Sequence, residues 1–372
     1  MKLWRCSLSW LLIMMLLAPI GLAERTVDEI IAQMTIEQKV YQMFMVKPEA
    51  ITGASNVTRA GDATKAALEQ YPVGGLIYFA ANLETIDQTS DMLHNTQQYA
   101  SEIGMPGLFL GVDEEGGVVA RCASKLGTAK FPSMMNYAKD KEPEAVYDAY
   151  AAIGKDLSTL GFNLDFAPVA DVITNKNNTE IGNRAFGTDP EFVAARVQQA
   201  AKGLRDQGLV AVLKHFPGHG NTSVDSHYAT STTNRTLDQM RELELIPFEA
   251  GIEAGAPMVL ISHLTATAID DSAPASLNGA IVDGILRNEL GFTGVVITDA
   301  LNMKAISAEY SPEQVAKMAV SAGVDILLMP EKFQATSQAL IELVKSGEIS
   351  EARLDQSVMR ILSLKMRSNL LR

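Results

Sequence analysis

Eight short apolar runs, each separated from the next by enough chain for a helix, restrict the folds open to this sequence. They fall at 41–46, 74–79, 108–112, 162–167, 209–215, 258–263, 294–298 and 325–329. Near-continuous Val, Leu and Ile without polar alternation is the pattern of strands buried on both faces. Between them lie stretches with apolar residues at three and four spacing, for example 85–103, 144–160, 190–207, 236–254, 280–290 and 312–322, several of which open on a Ser, Thr or Asp cap. Buried strands alternating with amphipathic helices imply a parallel sheet covered by helices. Eight such units in this length fit an α/β (β/α)8 TIM barrel, read as a single domain, better than an open sheet. Periodicity alone leaves an open doubly wound sheet as the alternative.

Residues 1–23 read as an export signal: Lys2 and Arg5 precede an apolar run, followed by Pro19, Gly21 and a small-residue boundary near Ala23. The run, at about 15 residues, is short for a membrane span of about 20, and an uncleaved anchor is the alternative. Cleavage would leave residues 24–372 as the barrel domain and place the protein outside the cytoplasm, in the periplasm, at the cell surface or secreted. It would also remove Cys6 and two positive charges, taking the formal charge from −13 to −15 and leaving Cys122 as the only thiol. An exported chain without an internal disulfide depends on its own core, which this length supplies. The acidic balance argues against nucleic acid and anionic membranes as partners. No linker, low-complexity tract or repeat marks an internal boundary, and a monomer is expected.

Barrel active sites gather at the carboxyl ends of the strands, and there the unusual polar residues stand. Asp113 follows the third run, a polar loop from Asp171 to Arg184 follows the fourth, Lys214 and His215 end the fifth, His263 ends the sixth and Asp299 ends the seventh. The loop 214–227 holds three of the five histidines, His215, His219 and His227. In Asp225-Ser226-His227 the carboxylate can orient the imidazole for acid and base work. A metal cluster of His215, His219, His227 and His263 is the rival, although the first run offers no ligand. Asp299 suits either a catalytic carboxylate or a helix N-cap. Asp113-Glu114-Glu115-Gly116-Gly117 with Arg121 offers a carboxylate for paired hydroxyls beside glycines that admit a close ligand, or else a charged turn. Arg184 lies over the pocket or pairs at the surface with a neighbour such as Asp189.

In family order the chain carries Val73-Gly74-Gly75-Leu76-Ile77, Val112-Asp113-Glu114-Glu115-Gly116-Gly117, Phe166-Ala167-Pro168-Val169-Ala170-Asp171-Val172, Ile181-Gly182-Asn183-Arg184-Ala185-Phe186-Gly187, Lys214-His215-Phe216-Pro217-Gly218-His219-Gly220, Asp225-Ser226-His227 and Ile297-Thr298-Asp299-Ala300-Leu301-Asn302-Met303. With these motifs it resembles glycoside hydrolase family 3, specifically its single-domain β-N-acetylglucosaminidases. The resemblance implies a retaining exo-hydrolase acting on terminal β-N-acetylglucosamine of peptidoglycan fragments or chitooligosaccharides. Asp299 would be the nucleophile, His227 the acid and then the base, and Asp225 its orienting partner. Asp113, Arg121, Arg184, Lys214 and His215 would hold the terminal sugar. No metal and no organic cofactor are implied. Asp225-Ser226-His227 favours this branch over a β-glucosidase or β-xylosidase on the same barrel, and the presence of Asp299, Asp225 and His227 together counts against the other alternative, a catalytically silent sugar-binding protein. Asn221, where an Asp is common, and the stretch 228–232 depart from the subgroup pattern.

Overall fold

The computed structural model describes residues 26–222 and 231–371; the segment 1–23 and the catalytic pair expected at Asp225 and His227 lie outside the described residues. Eight parallel strands form the centre: β1 (Phe44–Val46), β2 (Gly75–Ile77), β3 (Phe109–Val112), β4 (Leu164–Asp165), β5 (Val210–Phe216), β6 (Met258–Ile261), β7 (Val295–Thr298) and β8 (Leu327–Leu328). They neighbour one another in chain order, with β8 returning to β1. The ring closes between β7 and β8, where Ile326 N donates to Val296 O at 3.0 Å and Thr298 N to Ile326 O at 3.0 Å. These bonds decide for the (β/α)8 TIM barrel against an open sheet.

Side chains fill the barrel interior. A Cβ added to Gly111 on β3 would stand 2.7 Å from Met45 Cε and 2.9 Å from Leu164 Cδ2, so the glycine leaves room for large neighbours from the adjoining strands. Outside, Thr85 caps the helix Ile86–Glu102 by accepting from Gln88 N at 3.1 Å. Pro143–Leu160, Pro190–Asp206 and Pro312–Ser321 all begin with proline, which has no N–H to leave unpaired in the first turn.

Two expectations need correction. Tyr41 and Gln42, read as the start of the first strand, end the helix Ile36–Gln42, because Thr35 and Gln38 form a capping box that starts a helix there. The stretch read as one helix over 236–254 is two, Leu237–Arg241 and Ile246–Glu253. Pro247, which cannot sit in a helix interior, falls in the first turn of the second. The break turns Glu244 inward, 2.7 Å from Arg235 Nε.

The amino-terminal face of the barrel is locked by polar contacts. Asp325, fully buried before β8, accepts from Arg287 Nη2 at 2.6 Å, Ser357 Oγ at 2.6 Å and Arg360 Nη1 at 3.1 Å. It thereby ties the barrel to the last helix, Glu351–Arg367. Lys365 of that helix donates to Gln42 Oε1 at 2.7 Å. No helix among the described residues is long and apolar enough to cross a membrane.

Candidate active site

The opposite face gathers most of the polar strand-end residues that the sequence marks. After β3 the chain turns through a short hairpin, Glu114–Gly116 against Val119–Ala120. Gly116 and Gly117 take φ of 86° and 65°, a left-handed conformation that favours glycine. The hairpin brings Arg121 back, so that its N donates to Asp113 O at 3.3 Å and its Nη2 lies 3.8 Å from Asp113 Oδ2.

The three carboxylates of the Asp113-Glu114-Glu115 run separate into different tasks. Asp113 accepts from Lys214 Nζ at 2.9 Å and keeps partial exposure to the mouth. Glu115 is buried and takes Arg184 in a bidentate pair, Nε to Oε2 at 2.9 Å and Nη2 to Oε1 at 2.8 Å, while Lys214 Nζ lies 2.6 Å from Oε1. Burial alone would push the Glu115 carboxyl up, but Lys214 and Arg184 beside it hold it well below the usual range. Glu114 points away and accepts from Cys122 N at 2.7 Å and Ala123 N at 3.0 Å, satisfying the first turn of the helix that starts at Arg121. Arg184 is therefore held within the strand-end cluster by Glu115 rather than paired at the surface. Asp189, its alternative partner, instead caps the helix Pro190–Asp206 by accepting from Phe192 N at 2.8 Å.

From the loop after β4, Asp171 is fully buried and receives His215 Nδ1 at 2.7 Å and His219 N at 2.6 Å. A carboxylate only accepts, so Nδ1 carries the proton and Nε2 is left to receive Arg184 Nη2 at 3.3 Å. Loop contact is close here. Gly220 lies against the Val172 carbonyl where a Cβ would collide, and its own carbonyl accepts from Thr174 N and Asn175 N at 3.2 Å. Asn221, the departure from the subgroup pattern, donates to Thr233 Oγ1 at 3.1 Å and so joins the two described ends flanking 223–230. Thr232–Thr233 in turn pairs with Thr265–Ala266, beyond the carboxyl end of β6.

Asp299 follows β7 directly. Its N donates to Ile261 O at 2.8 Å and its Oδ1 accepts from Ala300 N at 2.7 Å. The other carboxylate oxygen has no hydrogen-bond partner among the described residues. Asp299 caps no helix: the next one, Lys304–Ser307, starts after Met303. Burial raises the Asp299 pKa, but His263, His215, the Ala300 N–H and Lys214 outweigh it, so the carboxyl sits below its ordinary value and is ionised.

Of the expected site residues, the structure brings Asp113, Arg121, Arg184, Lys214, His215 and Asp299 to this face. Sequence reasoning assigned no role to Glu115 or Asp171, the buried carboxylates that orient the cations and the imidazole. Their signal was present only as acidic residues at strand ends. His215 and His263 have both ring nitrogens engaged by protein groups, and among the described residues no three His, Cys, Asp or Glu side chains stand together as metal ligands.

The chain is similar to known proteins along most of its length. The Glycosyl hydrolase family 3 N terminal domain profile matches residues 35–364. Beta-hexosaminidase A of Pseudoalteromonas piscicida is 34% identical over 324 residues, 80% of this chain and 54% of that protein. Beta-hexosaminidase LpqI of Mycobacterium tuberculosis is 36% identical over 266 residues, 69% of this chain and 68% of that protein. A solved family 3 β-N-acetylglucosaminidase from Paenibacillus sp. superposes with a TM-score of 0.86 at 38% identity, covering 91% of this chain and 63% of that one. The match thus spans about half the length of the Pseudoalteromonas protein and less than two thirds of the Paenibacillus one.

Proposed function

Because the chain belongs to glycosyl hydrolase family 3, we propose that it is a retaining exo-β-N-acetylglucosaminidase, a reading supported by relatives named beta-hexosaminidase and by a similar solved β-N-acetylglucosaminidase. What carries this reading is Asp299: an ionised carboxylate at a strand end, one oxygen held by Ala300 N and the other without a hydrogen-bond partner among the described residues, with Lys214 among its charged neighbours. In the proposed reaction the free oxygen attacks the anomeric carbon while His227, oriented by Asp225, protonates the departing glycosidic oxygen. The same imidazole then takes a proton from water, whose oxygen displaces Asp299 and returns the sugar with its original configuration. Asp113, Lys214, Arg184, Arg121 and His215 hold the hydroxyls and acetamido group of the terminal sugar. Their mutual ion pairs keep these donors and acceptors in place before substrate arrives.

The mature protein is proposed to act outside the cytoplasm, after cleavage near Ala23, on peptidoglycan fragments or chitooligosaccharides. Turnover of 4-nitrophenyl N-acetyl-β-glucosaminide is the test. Preference for it over the corresponding glucoside and xyloside, abolished in Asp299→Ala, supports the reading. A preference for glucoside, or an Asp299→Ala variant as fast as wild type, contradicts it.

A further inference from the structure

His263 is fully buried at the carboxyl end of β6, and both its nitrogens are engaged. Nε2 lies 3.0 Å from Ala300 O, and Nδ1 lies 2.8 Å from Ser276 Oγ. A carbonyl only accepts, so Nε2 carries the proton and Nδ1 accepts from the serine hydroxyl. The Ala300–Leu301 peptide is then held at both ends: its oxygen accepts from His263 Nε2 and also from Met303 N at 3.0 Å, and its N–H, that of Leu301, donates to Leu328 O at 2.9 Å, so His263 is the one side chain of a different strand end on that oxygen among the described residues. Asp299 N on Ile261 O fixes the residue before it. The turn after β7 is thereby tied to both flanking strands. Within that turn the Ala300 N–H donates to Asp299 Oδ1 at 2.7 Å.

We propose that His263, its ring fixed by Ser276, is a positioning residue that holds the Ala300 backbone so that one oxygen of Asp299 stays bound and the other stays free to react. This rests on the reading of Asp299 as nucleophile. Among the described residues the charged or titratable groups acting on Asp299 are His263, His215 and Lys214, and those acting on His263 are Asp299, His219 and Glu180. Burial pushes the His263 pKa below its ordinary value, against the pull of Asp299, and with Nε2 on the Ala300 carbonyl the ring acts here as a hydrogen-bond donor. A core histidine that only fills space would also be buried with satisfied nitrogens. What distinguishes the two is whether the carboxylate's reactivity depends on the Nε2 donor.

The experiment compares His263→Leu, His263→Gln and Ser276→Ala with wild type for kcat, KM, the acid limb of kcat/KM and the rate of labelling by a 5-fluoro N-acetylglucosaminyl fluoride. Removing the donor in His263→Leu is expected to lower kcat about 100-fold with KM within about threefold of wild type. The acid limb should move to higher pH, because a carboxylate with a poorly held N–H donor is easier to protonate. His263→Gln, whose amide can still donate to Ala300 O, should recover most of kcat, and Ser276→Ala should lose about tenfold in the same direction. An unchanged acid limb and labelling rate in His263→Leu and Ser276→Ala overturn the proposal. So does equal loss in the Leu and Gln variants. If His263→Leu does not fold, Ser276→Ala and His263→Gln decide by the same readouts. A wild type that labels elsewhere than Asp299 removes the nucleophile reading itself, whereas a labelled wild type with indifferent variants removes only the positioning role.

Discussion

Asp171 Oδ2 lies 2.7 Å from His215 Nδ1, and through that contact a buried carboxylate sets which face of the imidazole meets Arg184. The same residue's Oδ1 receives His219 N at 2.6 Å, so one side chain fixes both the ring and the start of the loop that leads to His227. Asp171→Asn keeps the shape but loses the charge that holds the Nδ1–H tautomer. A hydrogen bond to a buried charge is worth about 2 kcal/mol, so kcat/KM is expected to fall roughly 10- to 100-fold, mostly through KM. Steady-state kinetics on the nitrophenyl substrate measures it, and an unchanged KM would contradict the orienting role.

Glu115 is the shared counter-ion of Arg184 and Lys214. Glu115→Gln removes the carboxylate that contacts both buried cations, leaving Asp113 and Asp171 near them among the described residues, and unpaired buried charge typically costs about 3–5 kcal/mol. Denaturant melts should show that loss of stability. Binding of N-acetylglucosamine should weaken as well, since both cations lose their fixed positions. A fully stable variant with normal binding would mean the pair is replaceable.

Lys365 is buried at the opposite end of the barrel, where among the described residues its hydrogen-bond acceptor is Gln42 Oε1 and the Phe109 ring lies 5.3 Å from its ammonium. Burial pushes its pKa down to about 7. Between there and the ordinary lysine range the unfolded chain holds a proton that the folded chain lacks, so stability should rise with pH across that window. Lys365→Met should flatten the rise between pH 7 and about 10 in urea melts. Curves that remain parallel to wild type would contradict this.

Glu114 gives the opposite slope. Burial raises its carboxyl to about 7 even though Cys122 N and Ala123 N favour the charged form. The folded chain therefore binds a proton that the unfolded chain has already lost, and the stability this contributes is present at low pH and lost as pH rises toward 7. Glu114→Gln should gain on wild type as pH rises from about 5 to about 8. A stability difference that does not change with pH would contradict the assignment.

Much of the barrel was legible because it follows from local rules. Thr85 with Gln88 announces a helix, and the runs around Val210 and Val295 are too uniformly apolar for anything but buried strands. Tyr41 and Gln42 misled because their apolar surroundings resemble a strand, while the capping box that makes them helical lies six residues upstream of Tyr41 at Thr35. The strand-end positions of Asp113, Lys214 and Asp299 were readable once the barrel was assumed. The Glu115 pair with Arg184 and the Asp171 pair with His215 span 69 and 44 residues, and no local pattern joins residues so far apart. His263 was visible only as a strand-end histidine, because its meaning lies in the Ala300 carbonyl it meets after folding.

The most direct measurement is intact mass and peptide mapping of the protein after reaction with a 5-fluoro N-acetylglucosaminyl fluoride. A single glycosyl adduct on Asp299, absent in Asp299→Ala, is the predicted result. An adduct on another carboxylate, or steady turnover of the nitrophenyl substrate with no trapped intermediate and full activity in Asp299→Ala, would contradict the account.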